Sequence, residues 1–137
     1  MLEILQISNI KIDVNHRDGE GRTAFMYTAA RGNIDLLQKL LQIPEINVNH
    51  VNYENSYTAL MEAVDRGDID IVRQLVRIPG IDVNHRSYPF NYSALTLAHK
   101  PFLKNKKNII LELLNTPGIV ITNADRSYME DKRFDLD

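Results

Sequence analysis

Apolar side chains recur three and four residues apart in two segments of the chain, which is the spacing of one face of an α-helix. They are Leu36, Leu37, Leu40 and Leu41 in the first segment and Ile71, Val72, Leu75 and Val76 in the second. Pro44 and Pro79 follow these segments, and a proline ring prevents a helix from continuing. The pattern predicts two amphipathic helices, each with one buried side and each ending before a proline.

An alanine-containing segment precedes each amphipathic segment and predicts another short helix. The residue at the start of each such segment carries a hydroxyl, which can accept a hydrogen bond from a backbone N–H that has no partner within the helix. These N-cap residues are Thr23, Thr58 and Ser93. Gly32 and Gly67 stand where the first two of these helices end, and glycine readily adopts the left-handed backbone found there. Asn33 and Asp68 come next and are predicted to cap the amphipathic helices. Each unit therefore predicts helix, tight turn, helix and an extended connecting loop.

The same landmarks return at a nearly constant interval. Asn15, Asn49 and Asn84 are 34 and 35 residues apart, and Gly32 and Gly67 are 35 apart. A period of this length indicates stacked units, none of which buries its apolar face alone. We predict a single domain over residues 1–137. Its N-terminal part-repeat, three repeats and C-terminal part-repeat cover residues 1–11, 12–45, 46–80, 81–118 and 119–137.

Two parts of the pattern are irregular. The third repeat is three residues longer than the second, and Pro101 and Phe102 stand where the turn glycine is expected. In the C-terminal part-repeat, Ser127 and Glu130 have the spacing of a capping box, in which a hydroxyl and a carboxylate cap the same helix start. We expect a short helix to begin at Ser127.

The units begin with similar strings, TAFMYTAARG, TALMEAVDRG and SALTLAHKPF. Over about residues 12–125 the chain resembles the ankyrin repeat, whose period is about 33 residues and whose signature is T-P-L-H-x-A. The signature's proline is replaced by Ala24, Ala59 and Ala94, and its histidine by Met26, Met61 and Thr96. The resemblance implies an all-α ankyrin-repeat solenoid of stacked helix-turn-helix units with protruding hairpin loops. It also implies a non-catalytic protein–protein interaction module.

Composition narrows the possible functions. The chain of 137 residues is 44% hydrophobic and 25% charged, as an ordinary globular protein is, and its net charge of -2 argues against a dedicated nucleic-acid binder. It has no Cys, which excludes disulfides and thiolate zinc sites. No segment approaches the roughly 20 apolar residues of a membrane helix, so membrane insertion is not expected. The start, MLEILQI, lacks a basic signal region, so we expect a cytoplasmic protein, or one in the host cytosol if the source is an intracellular bacterium or virus.

Catalytic and metal chemistry are not expected. The chain has no glycine-rich phosphate loop and no G-x-S-x-G turn, which argues against an enzyme and against a bound cofactor. His16, His50 and His85 occupy one position of successive units, and stacked units are about 8–10 Å apart. Zinc needs imidazole nitrogens within about 2.1 Å of one point, so we predict no metal site.

Aromatic residues supply the candidate binding site. Five of the ten Phe and Tyr residues lie in the second and third hairpins. Tyr combines apolar area with a polar end, which suits binding surfaces. Ankyrin arrays bind partners through hairpin tips and a concave face formed by the first helices. Mapped onto this chain, that implies partner contacts at Arg17, Glu20, Arg22, Tyr27, Arg31, Tyr53, Tyr57, Glu62, Asp65, Arg66, Tyr88, Phe90 and Tyr92.

Several alternatives stay open. The aromatic rings can instead pack hairpin against hairpin or mediate a homodimer, although we expect a monomer. The segment Lys100–Lys107, with its four lysines, is a solvated loop or an anion- or nucleic-acid-binding site. Asn49 and Asn84 match part of the pattern that asparaginyl hydroxylases modify in ankyrin hairpins, but Asn also stabilises such turns itself. The chain can also be a piece of a longer array.

Overall fold

The computed structural model describes residues 13–131 and is all-α there, with no strand in that range. In chain order its helices are α1 (Ala24–Ala30), α2 (Ile34–Leu41), α3 (Ala59–Arg66), α4 (Ile69–Val76), α5 (Ala94–Leu97), α6 (Lys106–Leu114) and α7 (Asn123–Asp131). The pairs α1–α2, α3–α4 and α5–α6 fall within the three segments that the period assigned to repeats. The predicted N-terminal part-repeat, residues 1–11, lies outside the described residues.

The predicted capping residues begin the helices. Thr23, Thr58 and Ser93 each accept a hydrogen bond from the backbone N–H three residues later, at 3.2 Å in all three cases. Asn33 and Asp68 do the same for α2 and α4, at 3.1 and 3.2 Å. Helices α1 to α5 have eight residues or fewer, and isolated helices of that length are unstable in water. Packing between neighbouring units must therefore stabilise them.

The apolar core runs through successive units. First helices α1, α3 and α5 contact one another in turn, and second helices α4 and α6 pack together. The core side chains that are almost completely buried include Phe25, Leu37, Leu60, Leu75, Leu95 and Leu113. Met26 and Met61, which replace the signature's histidine, are buried as well. Full burial of one such side chain stabilises the fold by about 1.5–3 kcal/mol.

A ladder of asparagines joins the connecting loops of successive units. The side-chain amides of Asn15, Asn49 and Asn84 each donate to the carbonyl oxygen of the residue that ends their own unit, at 2.8, 2.9 and 2.8 Å. Their Oδ1 atoms accept from a backbone N–H two residues beyond each carbonyl, at 2.7, 2.9 and 2.8 Å. Each side chain therefore bonds both the end of its own unit and the start of the following one, so the ladder fixes the spacing of the stack.

The extra residues of the third unit pack on the turn of the second. Phe102 and Asn105 adopt left-handed backbone, with φ of 61° and 56°, in place of the expected glycine. The Asn105 amide donates to the carbonyl oxygen of Gly67 at 2.9 Å. A Cβ at Gly67 would lie 2.6 Å from the carbonyl oxygen of Lys104. Glycine is required at Gly67 both by its left-handed φ of 72° and by this close approach.

The C-terminal helix begins earlier than the sequence predicted. Helix α7 begins at Asn123, so Ser127 lies inside it and does not cap it. The capping box is Thr122 with Asp125: the Thr122 N–H and O–H donate to the carboxylate, both at 2.9 Å, and Thr122 Oγ1 accepts from the Asp125 N–H at 3.1 Å. Asp125 is fully buried and pairs with Arg86 at 3.1 Å. The prediction of a helix beginning at Ser127 was wrong because this earlier pair also has tertiary support.

Candidate protein-binding surface

Three short hairpins, residues 17–22, 53–57 and 88–92, form what we call the hairpin tips. One polar residue closes each of them by donating its N–H to a carbonyl across the turn. Asp18 bonds Arg22 at 3.0 Å, Asn52 bonds Tyr57 at 3.1 Å, and Ser87 bonds Tyr92 at 2.7 Å. The side chains of Asp18, Asn52 and Ser87 also accept from backbone N–H groups of their tips. Sequence reasoning did not select them, although a polar residue recurs three positions after each ladder asparagine.

Three exposed aromatic rings project from these tips. Tyr53, Tyr88 and Phe90 are 64%, 79% and 69% exposed. Phe90 stacks on Tyr92, with ring centroids 5.7 Å apart and planes inclined by 22°. Tyr92 and Tyr57 are half-buried and pack against the core, and burial raises the pKa of Tyr57. The tip aromatics thus divide into three outward rings and two that pack against the core.

Tyr53 is held by the neighbouring tip. Its N–H donates to the carbonyl oxygen of Glu20 at 2.9 Å, and its ring lies against Gly21. The guanidinium carbon of Arg17 lies 4.7 Å from the ring centroid, within cation–π range. Arg17 also donates to the carbonyl oxygens of Gly21, at 3.2 Å, and Val51. The first and second tips therefore form one continuous surface.

The first tip also bonds α1. The hydroxyl of Tyr27 donates to Asp18 Oδ2. This hydrogen bond is the main cause that lowers the pKa of Asp18, and it raises the pKa of Tyr27. Arg22 lies over the Tyr27 ring, with its guanidinium carbon 5.9 Å from the centroid. Tyr27 is consequently oriented by two contacts while it stays partly open to solvent.

The structure corrects the placement of Glu62. Sequence analysis put it on the exposed concave face, but it is only 7% exposed. Its Oε1 lies 2.5 Å from an Arg22 nitrogen and accepts from the Asn52 amide at 2.8 Å. Arg22 is half-buried and also pairs with Glu20 at 3.5 Å. Glu62 is thus a buried link between the first two units and not a free contact residue.

Charged residues lie at the C-terminal ends of α1 and α3. Arg31 and Arg66 are exposed and make no side-chain hydrogen bond or ion pair within residues 13–131. Asp65 pairs with Lys100 of the third unit at 3.1 Å. A pocket of about 190 Å³ opens here between the first two units. The residues that line it are Arg22, Ala30, Asn55, Tyr57, Glu62, Asp65 and Arg66.

Only part of the lysine segment is the solvated loop that was one of its two interpretations. Lys106 is the first residue of α6 and is buried. Lys100 bonds Asp65, and the backbone of Lys104 packs on Gly67. Lys104 and Lys107 keep exposed side chains. The four lysines therefore do not form one open cationic patch.

His50, His85 and His99 each have a separate local environment. His85 Nε2 is 2.9 Å from the carbonyl oxygen of Ser56 in the preceding unit. Burial lowers the pKa of His50, with a smaller effect from the charge of Arg17. His99 follows the C-terminal end of α5 and is buried. Its Nδ1 lies 2.8 Å from the Leu95 carbonyl oxygen, and burial lowers its pKa. Among residues 13–131, no three His, Asp or Glu side chains gather as a metal site would require.

Short helix pairs stacked in sequence, with bonded loops between successive pairs, define an all-α repeat protein. A family profile for ankyrin repeats (three copies) matches residues 1–87 of the chain. The chain belongs to the ankyrin repeat family, and the expected ankyrin-repeat solenoid is confirmed. Ankyrin repeats are generally protein–protein interaction modules and are typically non-catalytic.

Comparison with solved structures supports the same fold. The crystal structure of the ankyrin repeat domain of Bcl-3, a unique member of the IkappaB protein family, matches with a TM-score of 0.60 and 23% sequence identity. The match covers 75% of this chain but 41% of that one, so the chain spans less than half of that domain's length. No curated protein sequence gives a significant match.

In the part of the chain that the structure describes, no helix is long and apolar enough to span a membrane.

Proposed function

We propose that this protein is a non-catalytic module that binds a protein partner through its hairpin tips and concave face. The concave face consists of the solvent-accessible side chains at α1 and α3, namely Tyr27, Arg31, Asp65 and Arg66. The observation that carries the proposal is the exposure of Tyr53, Tyr88 and Phe90 on tips whose backbones are closed by hydrogen bonds. Aromatic rings that are exposed to water gain favourable free energy when a partner covers them, because apolar surface is then removed from water.

Order in the tips favours binding. Tyr53 is fixed by Arg17 and by the carbonyl oxygen of Glu20, and Phe90 is fixed by its stack on Tyr92. A surface that is already ordered loses little conformational entropy when it binds. Tyr and Arg are also the residues that most often dominate binding energy at interfaces. The module would act as an adaptor, an inhibitor or a host-directed effector, in the cytoplasm and as a monomer.

The lysine-based alternative has weaker support. It requires Lys100, Lys104, Lys106 and Lys107 to present charge together. Lys106 is buried and Lys100 is paired with Asp65. Two exposed lysines, in a chain of net charge -2, give little attraction for a polyanion.

The test is a comparison of partner capture by two triple variants. One variant combines Tyr53→Ala, Tyr88→Ala and Phe90→Ala. The matched control combines Phe102→Ala, Leu111→Ala and Val120→Ala, which removes three apolar side chains that are exposed outside the tips. We expect wild type and control to capture the same protein from lysate of the source cells or their host, and the tip variant to lose it. Equal capture by all three would contradict binding through the tips.

A further inference from the structure

Tyr53 and Tyr88 occupy equivalent positions on neighbouring hairpin tips. They are 35 residues apart, the same interval as Asn49 and Asn84, and each follows the residue that closes its tip. Both rings are exposed, and neither hydroxyl makes a hydrogen bond within residues 13–131. Neighbouring units therefore present two rings with unused hydroxyl groups, separated by the spacing of one unit.

The two rings differ in what lies beneath them. The Tyr53 ring lies against Gly21, where a Cβ would come within 2.7 Å of it. Ser56 is the equivalent residue for Tyr88, with similar left-handed backbone (φ of 61°, compared with 78° at Gly21) but with a Cβ. The Tyr88 ring therefore cannot lie as close to the neighbouring tip, which accounts for its greater exposure, 79% against 64% for Tyr53. Most of the Tyr88 ring is open to a ligand.

The fold restricts how a peptide segment can bind at the tips. A strand cannot add to a sheet edge, because residues 13–131 contain no strand and the tip backbones are already closed by their own hydrogen bonds. A helix needs a continuous apolar groove, whereas these rings belong to separate tips. Separate aromatic rings with hydroxyl donors instead suit a polyproline II helix, whose backbone carbonyls have no partner within the helix.

The spacing of the rings matches the repeat of a polyproline II helix. This helix rises about 3.1 Å per residue and has three residues per turn, so every third residue returns to the same side after about 9 Å. Stacked units are about 8–10 Å apart. Prolines at positions i and i+3 of a ligand would therefore meet Tyr53 and Tyr88 in turn. Because proline fixes φ in advance, such a segment loses little conformational entropy when it binds.

The open charge of the tips is negative. Arg17 is held over the Tyr53 ring, and Arg22 is paired with the buried Glu62. Glu54 is exposed and its side chain makes no bond within residues 13–131. The third tip carries no charged residue. A ligand that brings a cation close to Glu54 would therefore complement this surface.

We propose that the hairpin tips bind a proline-rich segment of the protein partner in polyproline II conformation. Prolines three residues apart lie against Tyr53 and Tyr88, whose hydroxyls donate to carbonyl oxygens of the segment. An Arg or Lys of the segment pairs with Glu54. This inference rests on the proposed protein-binding function and names the class of ligand that the tips take.

The test is an NMR titration of the full chain with three nonapeptides that are blocked at both ends. The first, APPLPPRPA, is rich in proline and has one arginine. The second, AAALAARAA, has alanine in place of every proline, and the third, APPLPPEPA, has glutamate in place of arginine. We expect the first peptide to shift the backbone amide signals of Tyr53, Glu54 and Tyr88. The second should bind at least about tenfold more weakly, because its chain is not ordered in advance. The third should bind about two- to fivefold more weakly, as loss of one exposed ion pair predicts.

Variants of the protein test the assigned contacts. Tyr88→Ala should weaken binding of the first peptide at least about tenfold, and Tyr88→Phe, which removes the hydroxyl alone, about fivefold. The matched control is Phe102→Ala, which removes an exposed ring outside the tips and should leave binding unchanged. Glu54→Gln should weaken binding of the arginine peptide and not that of the glutamate peptide.

Three results would overturn the proposal: no shift with the proline-rich peptide at the highest soluble concentration, equal binding of the alanine peptide, or unchanged binding by Tyr88→Ala. The titration needs no partner. If it fails while the triple tip variant still loses partner capture, the tips bind a segment of another kind and the protein-binding function stands. The two proposals therefore remain distinguishable.

Discussion

The guanidinium carbon of Arg17 lies 4.7 Å from the centroid of the Tyr53 ring, so a residue of the first hairpin tip holds the principal aromatic residue of the second. The Gly21 backbone, which belongs to the same tip as Arg17, lies against the same ring. Arg17 also bonds the carbonyl oxygen of Val51, which lies 34 residues further along the chain. Order at Tyr53 thus depends on a contact between repeats.

Removing Arg17 should loosen this tip without unfolding the protein. Arg17→Gln loses the cation–π contact and hydrogen bonds to backbone, together worth about 1–2 kcal/mol locally. We expect hydrogen exchange of the Tyr53 amide, which bonds the Glu20 carbonyl oxygen, to be roughly tenfold faster. Arg31→Gln, at an exposed residue without side-chain bonds in the described range, should leave that exchange unchanged. Unaltered exchange in Arg17→Gln would show that Tyr53 is ordered by other contacts.

Gly67→Ala should destabilise the protein more than Gly80→Ala. Both glycines have left-handed backbone, with φ of 72° and 82°, so both substitutions introduce similar strain. At Gly67 the new Cβ also meets the Lys104 carbonyl oxygen at 2.6 Å, whereas nothing lies within 4 Å at Gly80. We expect the free energy of unfolding to fall by about 1–3 kcal/mol more for Gly67→Ala, because overpacking against backbone is costly. Equal losses in urea titrations would mean that the third unit does not rest on Gly67.

The asparagine ladder should contribute measurably to stability. Asn49→Ala removes the bonds to the Gly80 carbonyl oxygen and the Asp82 N–H. At about 0.5–1.5 kcal/mol for each, we expect a loss of roughly 1–3 kcal/mol in the free energy of unfolding. The control is Asn108→Ala, an exposed helical position without a side-chain bond to the described residues, where alanine should be neutral or slightly stabilising. A loss at Asn108 as large as that at Asn49 would contradict the role of the ladder.

Asp125 should make stability depend on pH. Burial alone would raise the pKa of Asp125, but hydrogen bonds from Arg86 and Thr122, with the Arg86 charge, lower it below its ordinary 3.8. A lowered pKa in the folded state stabilises the protein above about 3.8, and this contribution is lost as pH falls through the folded pKa. Asp125→Asn should therefore be less stable at neutral pH by about 1–3 kcal/mol.

The difference between wild type and Asp125→Asn should shrink as the pH is lowered in urea titrations. Glu54→Gln is the control, because Glu54 is exposed and its side chain has no bond in the described residues. It should match wild type at every pH. A difference for Asp125→Asn that stays constant down to acid pH would show that the buried charge of Asp125 does not stabilise α7.

Local features of the fold could be predicted from the sequence, because each depends on neighbours in the chain. Thr23, Thr58 and Ser93 cap their helices as predicted, since a cap bonds a backbone group three residues away. The start of α7 was predicted four residues late. Thr122 and Asp125 had the same spacing as Ser127 and Glu130, and only the tertiary contact of Asp125 with Arg86 distinguishes them.

Burial at the candidate site could not be predicted in the same way. Glu62 has helical neighbours typical of an exposed position, but Arg22, 40 residues earlier, and Asn52 enclose it from other segments. Lys106 is likewise buried by tertiary packing in a run of charged and polar residues. By contrast, Tyr53, Tyr88 and Phe90 are exposed as the hairpin pattern suggested, and their contact with a partner stays a prediction.

The most direct test of the central proposal is the affinity of the purified partner for the two triple variants, measured by calorimetry. Loss of three aromatic anchors should raise Kd at least about 100-fold, because central anchors each contribute about 2 kcal/mol or more. The control with Phe102→Ala, Leu111→Ala and Val120→Ala should stay within about threefold of wild type, a change of less than about 1 kcal/mol. A tip variant that binds as tightly as wild type, or a control that loses as much affinity, would contradict binding through the hairpin tips.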